Sequence, residues 1–61
     1  MFTITKNTDI KIFDNVCNIK NQLKEFIENN IGITVLEVLL EQSESIEEFT
    51  FTMIIFYEKN N

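Results

Sequence analysis

Arginine, histidine, alanine, proline and tryptophan are all missing from this chain. Without arginine there is no planar fork for bidentate phosphate recognition, so any anion must be met by lysine point charges. Without histidine there is no side chain whose ordinary pKa suits a base near neutrality. One cysteine, Cys17, excludes an intrachain disulfide, and a lone thiol without histidine cannot build a zinc site. No apolar run approaches the ~20 residues of a membrane span. Met1-Phe2-Thr3-Ile4-Thr5-Lys6 lacks the pattern of a signal peptide. The expected location is therefore the cytoplasm, where a free thiol stays reduced. No motif announces a cofactor or metal, and the chain reads as non-enzymatic.

What remains is strongly apolar for its size. Sixty-one residues are expected to form one small domain over residues 1–61. Such a chain buries only ~60% of the surface it exposes when unfolded. With disulfides and metals set aside, self-association is the expected supplement to stability. Hydrophobic residues make up 44% of the chain, too many for a disordered segment. Ten isoleucines and six phenylalanines supply most of the large apolar surface. Ile, Asn, Lys and Phe in place of Ala, Pro and Arg look like AT-rich coding sequence, as in a low-GC bacterium or a phage or plasmid within one. The net charge of −5 repels phosphate backbones, so direct DNA or RNA binding is not expected.

The pattern along the chain predicts an α+β fold of β-α-β-β order. Phe2, Ile4, Ile10 and Ile12 alternate with Thr3, Thr5, Asp9 and Lys11, which predicts a strand, mainly over 9–13. Residues 1–8 are either an extra strand or a mobile arm. Asp14 fits a helix N-cap. Val16, Ile19, Leu23, Phe26 and Ile27 then recur at helical spacing, with Asn18, Asn21, Glu25 and Glu28 opposite and Gln22 at the stripe's edge. Asn29-Asn30-Ile31-Gly32 ends the helix, since Asn and Gly tolerate the left-handed conformation. Strands are predicted over 33–40 and about 48–58, forming an antiparallel C-terminal hairpin around a polar loop at 42–45. One helix covers only one face of such a sheet. Ile54, Phe56, Ile33 or Leu39, and Phe13 then leave apolar groups on the second face. Large exposed apolar patches mark interfaces. A homo-oligomer through Ile33, Leu39, Ile54 and Phe56 is the expectation, with an N-terminal segment folded over that face as the alternative.

Few residues carry chemistry. Cys17 is expected in the first helical turn, where a thiol pKa falls, but it has no base or resolving cysteine and reads as an inert surface residue. Glu37, Glu41, Glu44, Glu47 and Glu48 gather around the hairpin without metal-ligand spacing, as a solvated acidic surface. Lys11, Lys20 and Lys24 are the candidate anion binders, with Phe13 or Tyr57 as a stacking surface. Their plainer role is a solubilising lysine flank.

Lys11-Ile12-Phe13-Asp14 at the strand-to-helix step, Leu23 and Phe26-Ile27 in the helix, and the closing run Met53-Ile54-Ile55-Phe56-Tyr57 together resemble a family. It is a group of roughly sixty-residue proteins of spore-forming, low-GC bacteria, named for expression during sporulation, with relatives in their phages. The resemblance spans about residues 10–59. The chain differs in having about eight extra N-terminal residues and in Glu58 standing between Tyr57 and Lys59. The resemblance implies no activity and no site residue.

Three functions follow as expectations. The leading one is a phage or mobile-element binding protein that sequesters a nucleotide-like immune signal in pockets between subunits. The second is an acidic inhibitor of a host nucleic-acid or defence enzyme, working through Glu41 to Glu48. The third is a sporulation-related structural oligomer.

Overall fold

The computed structural model describes residues 2–42 and 50–60. Four elements follow in order: β1 (Thr8–Val16), α1 (Ile19–Asn29), β2 (Ile33–Gln42) and β3 (Phe51–Lys59). The sheet order is β1-β3-β2, and both pairings are antiparallel. The expected β-α-β-β order is therefore found. The most apolar strand, β3, takes the centre, where both of its edges are hydrogen-bonded.

Register decides which side chains share a face. Facing residues of an antiparallel pair point the same way, and the direction alternates along each strand. Phe13 opposes Met53, and Lys11 opposes Ile55. Val38 opposes Ile55, and Val35 opposes Tyr57. This is the core face. Met53 and Ile55 are fully buried there and join Val16 and Phe26 in one cluster. Phe13, Ile19, Leu23, Ile33, Val35, Val38 and Tyr57 pack around that cluster. Phe26 is the one buried residue of α1.

Two bulges correct the sequence reading. In β1 the register shifts between Phe13 and Val16, and Asn15 takes a left-handed φ of 56°. Asparagine tolerates that conformation better than most residues, which is why the extra residue falls there. The bulge turns Val16 into the core opposite Phe51. Val16 therefore ends the strand and does not begin the helix, although its spacing to Ile19 imitates a helical stripe. Asp14 is a strand residue whose Oδ1 accepts a hydrogen bond from Thr52 Oγ1 at 3.3 Å. In β2 the shift lies between Val35 and Glu37. It leaves Leu36 without a partner and reverses the parity, so Ile33 packs on the core while Leu39 faces away. Phe13 is likewise on the core face, so neither Phe13 nor Ile33 lies on the second face as expected.

The true N-cap is Asn18. Its Oδ1 accepts from the Asn21 amide at 3.1 Å, and its carbonyl accepts from the Gln22 amide at 3.0 Å. Asn18→Ala is expected to cost about 1 kcal/mol. Asp14→Ala, an exposed strand position, is expected to stay within ~0.5 kcal/mol. Urea unfolding of the two variants checks this, and equal losses would return the cap to Asp14. At the other end, the Asn30 amide donates to the Ile27 carbonyl at 3.3 Å, and Asn30 Nδ2 donates to the Phe26 carbonyl at 2.8 Å. Gly32, at φ 88°, makes the left-handed step that Asn30, at φ −131°, does not.

Residues 2–5 form no strand. Thr5 and Thr8 close a turn, with the Thr8 amide donating to the Thr5 carbonyl at 3.1 Å. The segment folds back so that the Phe2 ring lies 5.1 Å from that of Phe56. The expected start of the last strand at Glu48 and Phe49 lies outside the described residues.

Candidate functional site

Three of the five ligand residues singled out from the sequence line one groove. Lys11 and Phe13 stand two apart on the core face of β1, and Tyr57 lies on the same face of β3. Helix α1 supplies the other wall through Gln22, Glu25, Phe26 and Asn29, with Asn30 just beyond its end. Positions 22, 25 and 29 are spaced i, i+3 and i+7, so they fall on one side of the helix. The cleft measures about 350 Å³. That is the small end of the roughly 300–1,000 Å³ common for ligand pockets.

Its aromatic lining is a connected set of rings. Phe26 meets Phe13 edge-on at 5.8 Å and 78°, and meets Tyr57 at 5.3 Å and 70°. Such edge-to-face pairs are favoured by the ring quadrupoles. Lys11 Nζ stands 5.3 Å from the centroid of Phe13. This is within the ~6 Å of a cation–π contact. The groove's cation is thus held over an aromatic surface. The rim adds one carboxylate, Glu25, and three carboxamides. Asn30 commits one end of its amide to the Phe26 carbonyl, which satisfies an acceptor that the helix end would otherwise leave bare. Flat rings, an ammonium and hydrogen-bonding amides suit recognition of a planar, polar, anionic molecule.

Lys20 and Lys24 lie elsewhere. With Leu23, Ile27 and Glu28 they line a shallow apolar depression on another side of α1. Ile27, expected in the buried stripe, is 44% exposed in that depression. The three candidate lysines therefore do not converge within one chain. A third depression joins Lys6, Asn7, Asp9, Glu58 and Lys59, where two cations meet two carboxylates. Cys17 is exposed and precedes the cap Asn18, so it is not in the first helical turn. Of the acidic residues at the hairpin, Glu41 is exposed at the end of β2, while Glu44, Glu47 and Glu48 lie outside the described residues. Among the described residues no three acidic or thiol groups gather as metal ligands, and no helix is long and apolar enough to cross a membrane.

The reading from the sequence missed Gln22, Glu25, Asn29 and Asn30. Helical spacing alone places Glu25 on the side opposite the apolar stripe and Gln22 at its edge. The available signal was the polar i, i+3, i+7 set lying beside the buried Phe26, which marks the edge of a helix where it leaves a sheet.

Leu39, Ile54 and Phe56, singled out as interface residues, share the opposite face of the sheet from the groove. Ile12, Ile54 and Leu39 form one row across the three strands; Ile10, Phe56 and Glu37 form the next. No family model matches this chain, and neither the curated proteins nor the solved structures compared with it give a match.

Proposed function

We propose that this chain is a non-enzymatic binding module that holds a small nucleotide-like anion in the groove of Lys11, Phe13 and Tyr57. The observation that carries the reading is the meeting of one ammonium, three aromatic rings and three carboxamides in a single cleft. Stacking of a base on an aromatic side chain contributes ~1–3 kcal/mol. The amides supply donors and acceptors for the edges of a ring, and Lys11 supplies the charge for a phosphate. A net charge of −5 does not forbid this, because a cleft with its own lysine sets its own local potential. Glu25 limits how much negative charge the groove accepts, which favours a monophosphate over a polyphosphate.

The groove is built within one chain. The apolar residues of the far sheet face lie on the other side of β3, so a contact made there leaves the groove open. Ligand capture does not depend on a second copy in this reading.

Native mass spectrometry with AMP and GMP, each against inorganic phosphate, tests it. A one-to-one nucleotide adduct is expected, with none for phosphate alone. Lys11→Glu is expected to weaken the adduct about ten-fold or more, the scale of a lost charge-assisted hydrogen bond. The double variant Lys20→Glu/Lys24→Glu is expected to leave it unchanged. The reverse pattern would move the site to the other side of α1, and no adduct at any concentration would end the proposal.

A further inference from the structure

The far face of the sheet has a composition that the groove does not explain. Its centre is five apolar side chains: Ile10, Ile12, Leu39, Ile54 and Phe56. Ile10, Ile12 and Leu39 are 53%, 56% and 48% exposed, although the sheet is fully formed around them. The Phe2 ring lies against that of Phe56, and Thr5 Oγ1 donates to Glu58 at 3.4 Å, so residues 2–5 border one end of this face. Among the described residues, the charged strand positions of the same face are all acidic. Glu37 lies beside Phe56, Glu41 faces Thr52, Asp14 accepts from Thr52, and Glu58 pairs with Thr8 and Thr34. No lysine occupies a paired strand position there. Glu58 shares its depression with Lys6 and Lys59, so among the described residues the excess negative charge of this face is that of Asp14, Glu37 and Glu41.

We infer that this face is a docking surface for a basic protein segment with apolar anchors, not for a second copy of the chain. Two arguments separate these occupants. Stacking two copies face to face would bring two carboxylate-rimmed surfaces together, and like charges across an interface cost affinity. The apolar band is also small. Two rows across three strands cover a flat footprint of about 200 Å² from strand spacing and rise, to which side-chain relief adds accessible area. A stable dimer buries about 800 Å² per partner. A band of this size matches one extended strand or one helix face, whose lysines or arginines would reach the carboxylates at the rim.

The test uses the full chain and two synthetic peptides, one of alternating leucine and lysine and one of alternating leucine and glutamate. The leucine–lysine peptide is expected to bind, and to weaken as salt rises, because Asp14 and Glu41 are exposed and Glu37 is only half-buried. Glu37→Gln/Glu41→Gln is expected to weaken it about three- to ten-fold, the scale of two ion pairs at the surface, one exposed and one half-buried. Glu25→Gln/Glu28→Gln, the same charge change on α1, is expected to have no effect. Ile12→Ser/Leu39→Ser is expected to weaken binding of that peptide at high salt, where the apolar contact remains. Equal loss in both Glu→Gln doubles would show unspecific attraction to an acidic protein and overturn the inference. Equal binding of the leucine–glutamate peptide would overturn it too. So would a dimer in sedimentation that Ile12→Ser/Leu39→Ser dissolves, since the occupant would then be a second copy.

Discussion

Ile55→Ala is expected to bring this chain to the edge of unfolding at room temperature. Ile55 lies in the middle of the central strand with no exposed surface, opposite Lys11 on one side and Val38 on the other. Removing a buried isoleucine side chain costs ~2–5 kcal/mol, because the cavity adds to the lost transfer energy. At ~0.05–0.15 kcal/mol per residue, a chain of 61 residues has only ~3–9 kcal/mol in total. A single methyl-rich side chain is therefore a large share of the whole. Ile10→Ala is the matched control. It removes the same atoms from the edge strand β1, at a position 53% exposed on the far face, and is expected to cost under ~1 kcal/mol. Urea unfolding with a common slope compares the two. If Ile55→Ala shifted the midpoint no more than Ile10→Ala, the placement of β3 at the centre would be wrong.

The same contrast explains what could be read from the residues alone. Alternation in Met53-Ile54-Ile55-Phe56-Tyr57 and the helical recurrence of Ile19, Leu23 and Phe26 are local signals, and both elements are found at those places. The bulges are not local signals of that kind. Asp14-Asn15 reads as a cap and first turn because the same residue types serve caps and left-handed bulge positions. Only pairing with β3, some 38 residues away at Thr52, selects the bulge. In β2, nothing at Leu36 warns that the parity reverses between Val35 and Glu37, so alternation alone groups Ile33 with Leu39. The groove suffered from a different gap. Lys11, Phe13 and Tyr57 could be chosen by type, but which lysines join them depends on the direction in which α1 crosses the sheet. That crossing puts Gln22 and Glu25 beside Lys11 and turns Lys20 and Lys24 away.

Phe26 links stability to binding, and two substitutions separate its roles. It is the one buried residue of α1 and touches both Phe13 and Tyr57. Phe26→Ala is expected to lose ~3–5 kcal/mol, the usual range for a buried phenylalanine. That is from a third to all of the ~3–9 kcal/mol the chain has, so helix and groove should be lost together, read as a drop in helical circular dichroism. Phe26→Leu keeps most of the apolar volume. Its cost is expected near ~1.5 kcal/mol, which combines a tolerated core exchange with loss of aromatic contacts. This variant should remain folded, with the strands and Asn18-capped helix in place. It would nevertheless bind a nucleotide more weakly, because Phe13 and Tyr57 lose the ring that fixes their orientation. Stacking is worth ~1–3 kcal/mol per base, so a loss of about five-fold or more is expected even when one ring of the set goes. A folded Phe26→Leu protein with undiminished nucleotide affinity would show that the aromatic set is core and nothing else. The groove would then have only Lys11 and its amides to offer, too little to hold a base.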